Sequence, residues 1–111
     1  MRVVNRTDFL KLPAGTIYCK GKPWYFDGLC IKDDTLMPDD WVYLNPAWPS
    51  AHDSGEASYL MEKSLADGAS FAGDDSYGRD GCFDKDAVFL IFEKEDLLAL
   101  RSHIDAALTH C

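Results

Sequence analysis

Ala87-Val88-Phe89-Leu90-Ile91-Phe92 runs directly into Glu93-Lys94-Glu95-Asp96-Leu97, and this junction decides the fold. An apolar residue at every position predicts a central strand covered on both faces. Glu95 and Asp96 then place negative charge in the first turn of a helix, where the macrodipole favours it. Leu97, Leu100, Ile104, Ala107 and Leu108 recur at helical spacing and predict a buried stripe on that helix.

Upstream of this strand, residues 68–81 are rich in Gly and Asp and have no periodicity, which predicts a mobile surface loop. Before it, Ser54 or Asp53 can cap a helix from Glu56 to about Asp67 that Gly68 stops. Ala57, Leu60, Met61 and Leu65 would form its buried face. Trp41-Val42-Tyr43-Leu44 reads as a strand closed by Asn45-Pro46, and Asp33 through Asp40 as an acidic loop. Asp27-Gly28 between Trp24-Tyr25-Phe26 and Leu29-Cys30-Ile31 signals a hairpin, and a single strand bulged at Gly28 gives the same pattern. Thr16-Ile17-Tyr18-Cys19 is β-prone, and Gly21 with Pro23 marks a turn. Asn5 or Thr7 can cap a brief helix over Asp8–Leu12, ended by Pro13 and Gly15, and Arg2–Asn5 can be a first strand. The order is β-α-β-β-β-α-β-α. It predicts one α+β domain over residues 1–111: a small, mainly antiparallel sheet with its helices packed on one side.

With 111 residues, 47% of them hydrophobic, the chain can build one core without a metal or disulfide staple. The longest unbroken apolar run, Ala87–Phe92, is about a third of a membrane span, and no signal peptide is legible at Met1–Asp8. A cytosolic protein is expected, with Cys19, Cys30, Cys82 and Cys111 as free thiols. A Cys19–Cys30 bridge stays open for an exported chain.

Charge is the most informative number. The net is −8, yet residues 1–32 carry a local +4 and the remainder a local −12. Of the 19 acidic residues 15 are Asp, so most carboxylates sit on short stems. This balance argues against direct contact with a nucleic-acid backbone, which needs clustered Lys or Arg, and favours a basic partner.

No catalytic or cofactor motif stands out, so neither an enzyme activity nor a cofactor is expected. The Asp-rich stretch lacks the ligand order of a calcium loop, and its glycines lack the lysine of a phosphate loop. His52, His103 and His110 show no zinc spacing to the cysteines. Cys82 has only Arg79 as a nearby cation, a weak case for a nucleophile. Trp24, Trp41 and Trp48 read as core or strand-face residues, with Trp48, between Pro46 and Pro49, the one expected in the open.

Residues Gly78-Arg79-Asp80-Gly81-Cys82-Phe83-Asp84-Lys85-Asp86, continuing to Leu97, and the opening Phe9-Leu10-Lys11-Leu12-Pro13-Ala14-Gly15-Thr16 resemble small uncharacterised bacteriophage and prophage proteins. The resemblance covers about a third of the chain and carries no activity. It implies a genomic setting in which small acidic accessory proteins bind and block a host enzyme or defence complex.

The leading expectation is an accessory protein that inhibits a basic host protein, such as a CRISPR effector, by presenting carboxylates as a phosphate mimic. The candidate contacts are Asp33, Asp34, Asp39, Asp40, Trp48, Asp74, Asp75, Asp80, Asp84 and Asp86. No membrane partner, no direct nucleic acid and no metal is expected, and a homodimer stays open. The alternative is a nucleotide binder or sponge using Lys20, Lys22 and Lys32, with Trp24 or Tyr25 stacking on the base. A hydrolase built from unrecognised carboxylates is a third reading. Acidity that serves solubility alone stands beside all three.

Overall fold

The computed structural model describes residues 1–81 and 84–111. Among them the elements run β1 (Arg2–Val4), α1 (Arg6–Leu10), β2 (Ile17–Lys22), β3 (Tyr25–Leu36), β4 (Asp40–Pro49), α2 (Ser54–Asp67), β5 (Gly73–Arg79), β6 (Val88–Ile91) and α3 (Lys94–Leu108). The strands form one antiparallel sheet in the order β1-β6-β2-β3-β4-β5. This is the expected small α+β fold. The last strand in sequence enters between β1 and β2, which explains why β6 is apolar throughout.

Side chains alternate between the two faces of the sheet. On the inner face Tyr18, Phe89, Ile91 and Trp41 meet Phe9 of α1, and these with Ala87 are the core. The Phe9 ring stacks on Phe89 at 4.0 Å between centroids and meets Tyr18 and Trp41 edge-on at 4.7 and 5.0 Å. Trp41 Nε1 donates to the Tyr18 hydroxyl (3.0 Å), so the buried indole N–H has its partner. α1 is only five residues long. Its start is fixed by Asn5, whose side chain accepts from the Asp8 amide (2.9 Å).

Two glycines are needed for close approach. A Cβ on Gly21 would collide with the Tyr25 carbonyl and the Phe26 backbone across the β2–β3 turn. A Cβ on Gly78 would lie 2.6 Å from the Tyr43 ring and its hydroxyl.

Several expectations are corrected. Residues 73–79 form the edge strand β5 rather than a loop: pairing along β4 supplies the order that Gly-Asp-Asp-Ser-Tyr-Gly-Arg lacks as a local sequence. Asp33 and Asp34 belong to β3, at a register shift between Lys32 and Thr35. The acidic loop shrinks to a turn at Met37–Asp39, where the Met37–Pro38 peptide is cis. Of the two readings of Asp27-Gly28 the single bulged strand holds, since β3 passes through it with a register shift, and the β2–β3 turn falls at Pro23-Trp24, where Gly21 and Pro23 signalled one. Trp24, in that turn, is the most exposed tryptophan at 78%. Trp48 lies within β4.

The two long helices bury no residue. Leu65 of α2 is 90% exposed, and every residue of α3 from Arg101 onward is exposed. The expected buried stripes are therefore not buried. Helical spacing reports an apolar face, but the buried part of the inner face is filled by the aromatic cluster and α1, not by either long helix. Cys19 and Cys30, left open as a bridge, are free and point to opposite faces of neighbouring strands. Cys82 lies outside the described residues. Among the described residues no helix is long and apolar enough to cross a membrane.

Candidate functional site

The two halves of the charge pattern meet at one end of the sheet. Arg6 donates to the Asp39 and Asp84 carbonyls (both 2.9 Å), reaches Asp80 at 3.4 Å and lies 5.0 Å over the Trp41 ring. Lys20 closes on Asp80 at 2.7 Å and Lys22 on Asp84 at 2.7 Å. Arg79 pairs with Asp40, and Lys85 lies 3.8 Å from Asp39. Asp40 also accepts from the Trp41 and Gly81 amides (2.8 and 3.0 Å). Burial pushes the Asp40 carboxyl up, but the hydrogen bonds from Arg79 first and then from the two amides outweigh it and hold the group below the usual carboxylate range. The hydrogen bond from Lys22 likewise holds Asp84 low.

Asp39, Asp40, Asp80 and Asp84 are thus brought together, facing the chain's own cations. Asp33 is half-buried on the outer face, while Asp34 and Asp86 are exposed and apart from one another in the sequence of elements. Asp74, Asp75 and Trp48 are brought together elsewhere. The register shift between Asn45 and Trp48 returns Trp48 to the inner face, where it pairs with Asp74 across β4 and β5.

Trp48, 57% exposed, divides two hollows on this face. The first, of about 580 Å³, is lined by Tyr18, Lys20, Cys30, Tyr43, Asn45 and Asp80 among others. Cys30 Sγ donates to Asn45 Oδ1 (3.5 Å). Burial pushes the Cys30 thiol up, away from the nucleophilic thiolate. The second hollow, of about 470 Å³, is lined by Trp48, Asp53, Ser54, Asp74, Asp75 and Ser76 among others, and among the described residues no basic one lines it. Asp53 is fixed there by capping α2, accepting from the Glu56 amide (2.8 Å).

Of the three lysines expected to hold a nucleotide, only Lys20 lines a hollow of this face. Lys22 is paired with Asp84. Lys32 is 2% exposed, bonded to the Thr35 hydroxyl (2.8 Å) and the Asp33 carbonyl (3.1 Å), and burial pushes its pKa down. Trp24 and Tyr25 lie at the β2–β3 turn, away from both hollows.

The sequence reading missed Tyr43, Asn45 and Asp53. The alternation Trp41, Tyr43, Asn45 along a strand was the available signal for one shared face. Among the described residues no three His, Cys, Asp or Glu side chains gather as metal ligands would. No protein-family model matches the chain, and neither a curated protein nor a solved structure matches it.

Proposed function

We propose that the chain is a binding protein for a basic partner, held at Trp48, Asp74, Asp75 and Asp53. One observation carries this reading: an exposed tryptophan borders a hollow lined by three aspartates and, among the described residues, by no basic one. An aromatic anchor beside unneutralised charge suits a partner rich in Lys or Arg. β5 is also the last strand of the sheet, so its outer backbone groups have no strand beside them. A second copy placed antiparallel there would set Asp74 and Asp75 against like charges, whereas a basic segment would be drawn in.

The resemblance to phage accessory proteins adds a setting. The basic partner would then be a host nucleic-acid-handling or defence protein whose DNA or RNA groove the carboxylates occupy. The phosphate mimic is accordingly reduced to Asp53, Asp74 and Asp75, because Asp40, Asp80 and Asp84 face cations of this chain.

Affinity isolation from nuclease-treated host lysate tests the reading. A nucleic-acid-handling protein is expected to be retained at low salt and released at high salt. Trp48→Ala is expected to weaken capture about thirtyfold, the effect of losing a hot-spot anchor. Asp74→Asn with Asp75→Asn is expected to abolish the salt-sensitive component, and Asp34→Asn with Asp86→Asn to leave it unchanged.

A second reading rests on the first hollow, whose volume of about 580 Å³ suits a small organic ligand. Tyr43 and Trp48 would flank a planar ring, with Lys20 and Asn45 as polar contacts. A thermal-shift screen of nucleotides is expected to find a stabiliser whose effect Tyr43→Ala removes. If no nucleotide raises the melting temperature, this second reading is withdrawn.

A further inference from the structure

We infer that the basic partner is held as an added strand: an extended segment of it pairs antiparallel along β5 and reads apolar-x-basic-basic from its N-terminal end. The inference rests on the reading of Trp48, Asp74 and Asp75 as the partner's site, and it names the segment that the site takes.

The ladder between β4 and β5 fixes which backbone groups turn outward. In an antiparallel pair, residues that exchange both hydrogen bonds with the neighbouring strand alternate with residues that point away from it. The Asp80 amide donates to the carbonyl of Trp41, opposite it in the register (3.1 Å), so Gly78 and Ser76, on the same alternation, also face β4. Beyond the register shift the Ser50 amide donates to the Ala72 carbonyl (2.8 Å), so Asp74 faces β4 as well. Gly73, Asp75 and Tyr77 fall between these residues and turn their backbone groups away from β4. Pro49, opposite Gly73, fits the same phase, since a proline has no N–H to give. The Asp75 amide is taken by the Asp74 carboxylate (2.8 Å), while its carbonyl and both groups of Gly73 and Tyr77 lie along the exposed edge. The opposite edge of the sheet offers less: β1 has three residues, and the Met1 amine before it is tied to Asp96 at 2.8 Å and Glu93 at 3.3 Å.

Donors and acceptors at every second residue along one line are matched by another extended chain. Charge then sets the sequence of that chain. In antiparallel register the residue opposite Tyr77 comes first, and those opposite Asp75 and Asp74 follow after one intervening position. Tyr77 is 64% exposed and offers its ring to an apolar side chain, whereas the two adjacent carboxylates each draw a Lys or Arg. A long basic side chain opposite Asp74 lies on the face of Trp48, which pairs with Asp74 one strand further in.

Calorimetric titration at low salt with two synthetic peptides, followed by amide hydrogen exchange, decides the matter. The first peptide carries Val-Ser-Lys-Arg at its centre; the second is identical but N-methylated on the Val and Lys amides, which would otherwise donate to β5. The first is expected to bind and to slow exchange of the Tyr77 amide, leaving the Gly78 amide, which faces β4, unchanged. The N-methylated form is expected to bind about tenfold more weakly or worse. Equal binding of the two peptides, with Tyr77 exchange unaltered, overturns the added strand; the proposed site still stands in that case if Trp48→Ala weakens both. No binding of the first peptide also overturns the inference, and the site itself is then judged by the lysate isolation.

Discussion

Phe9→Ala is expected to cost about 3–5 kcal/mol and to lower the melting temperature by roughly 15 °C or more. The size follows from how little else the core contains. α2 and α3 bury no residue, so the centre rests on the aromatic cluster of Phe9, Tyr18, Trp41 and Phe89, with Ile91 and Ala87. Phe9, like Phe89, touches the other three rings, and α1, which carries it, is a single short helix. A domain of this size is stable by about 5–15 kcal/mol, so the loss removes a large share of the total. Leu65→Ala is the control. Its side chain is apolar and helical but 90% exposed, and the melting temperature is expected to stay within about 2 °C. Equal effects at the two positions would place the core elsewhere.

Asp40→Ala is expected to cost about 3 kcal/mol. Its carboxylate is 2% exposed and accepts from two backbone amides, Trp41 and Gly81, which would be left without that oxygen. The ion pair with Arg79 contributes little by itself, because the Arg79 side chain is largely in solvent. Asp40→Asn keeps an acceptor oxygen and is expected to recover more than half of the loss. The pH dependence has a definite sign. The folded carboxyl lies below the usual range, so its contribution is complete above about pH 4 and is lost as pH falls through the folded value. Urea melts of wild type and Asp40→Asn from pH 7 down to pH 2 are expected to converge in the acid limb. Parallel curves at all pH values would contradict the role given to the charge.

The fold class was legible because β6 and the helix ends declare themselves locally. An uninterrupted apolar run marks an interior strand, and Asn5, Asp53 and Gly68 punctuate helices by chemistry that needs no tertiary partner. β5 was not legible, since Gly and Asp are poor strand formers and its pairing comes from β4. The helical stripes misled because an amphipathic spacing does not say whether the same chain supplies the cover. At the site, the opposed charge of the two segments hinted that they meet. Nothing in the order of residues tells that Arg6 will reach Asp80, 74 positions away, and leave Asp74 and Asp75 without such a neighbour. The acidic residues that matter for a partner were therefore named within a longer list that the internal ion pairs now divide.

Matched affinity isolations with wild type, Trp48→Ala and Asp74→Asn/Asp75→Asn test most directly whether Trp48, Asp74 and Asp75 hold a basic partner. One nucleic-acid-handling protein is expected to be retained by wild type at low salt, shed at high salt, and lost or strongly reduced with both variants. The same protein held equally by all three, at every salt concentration, would contradict it.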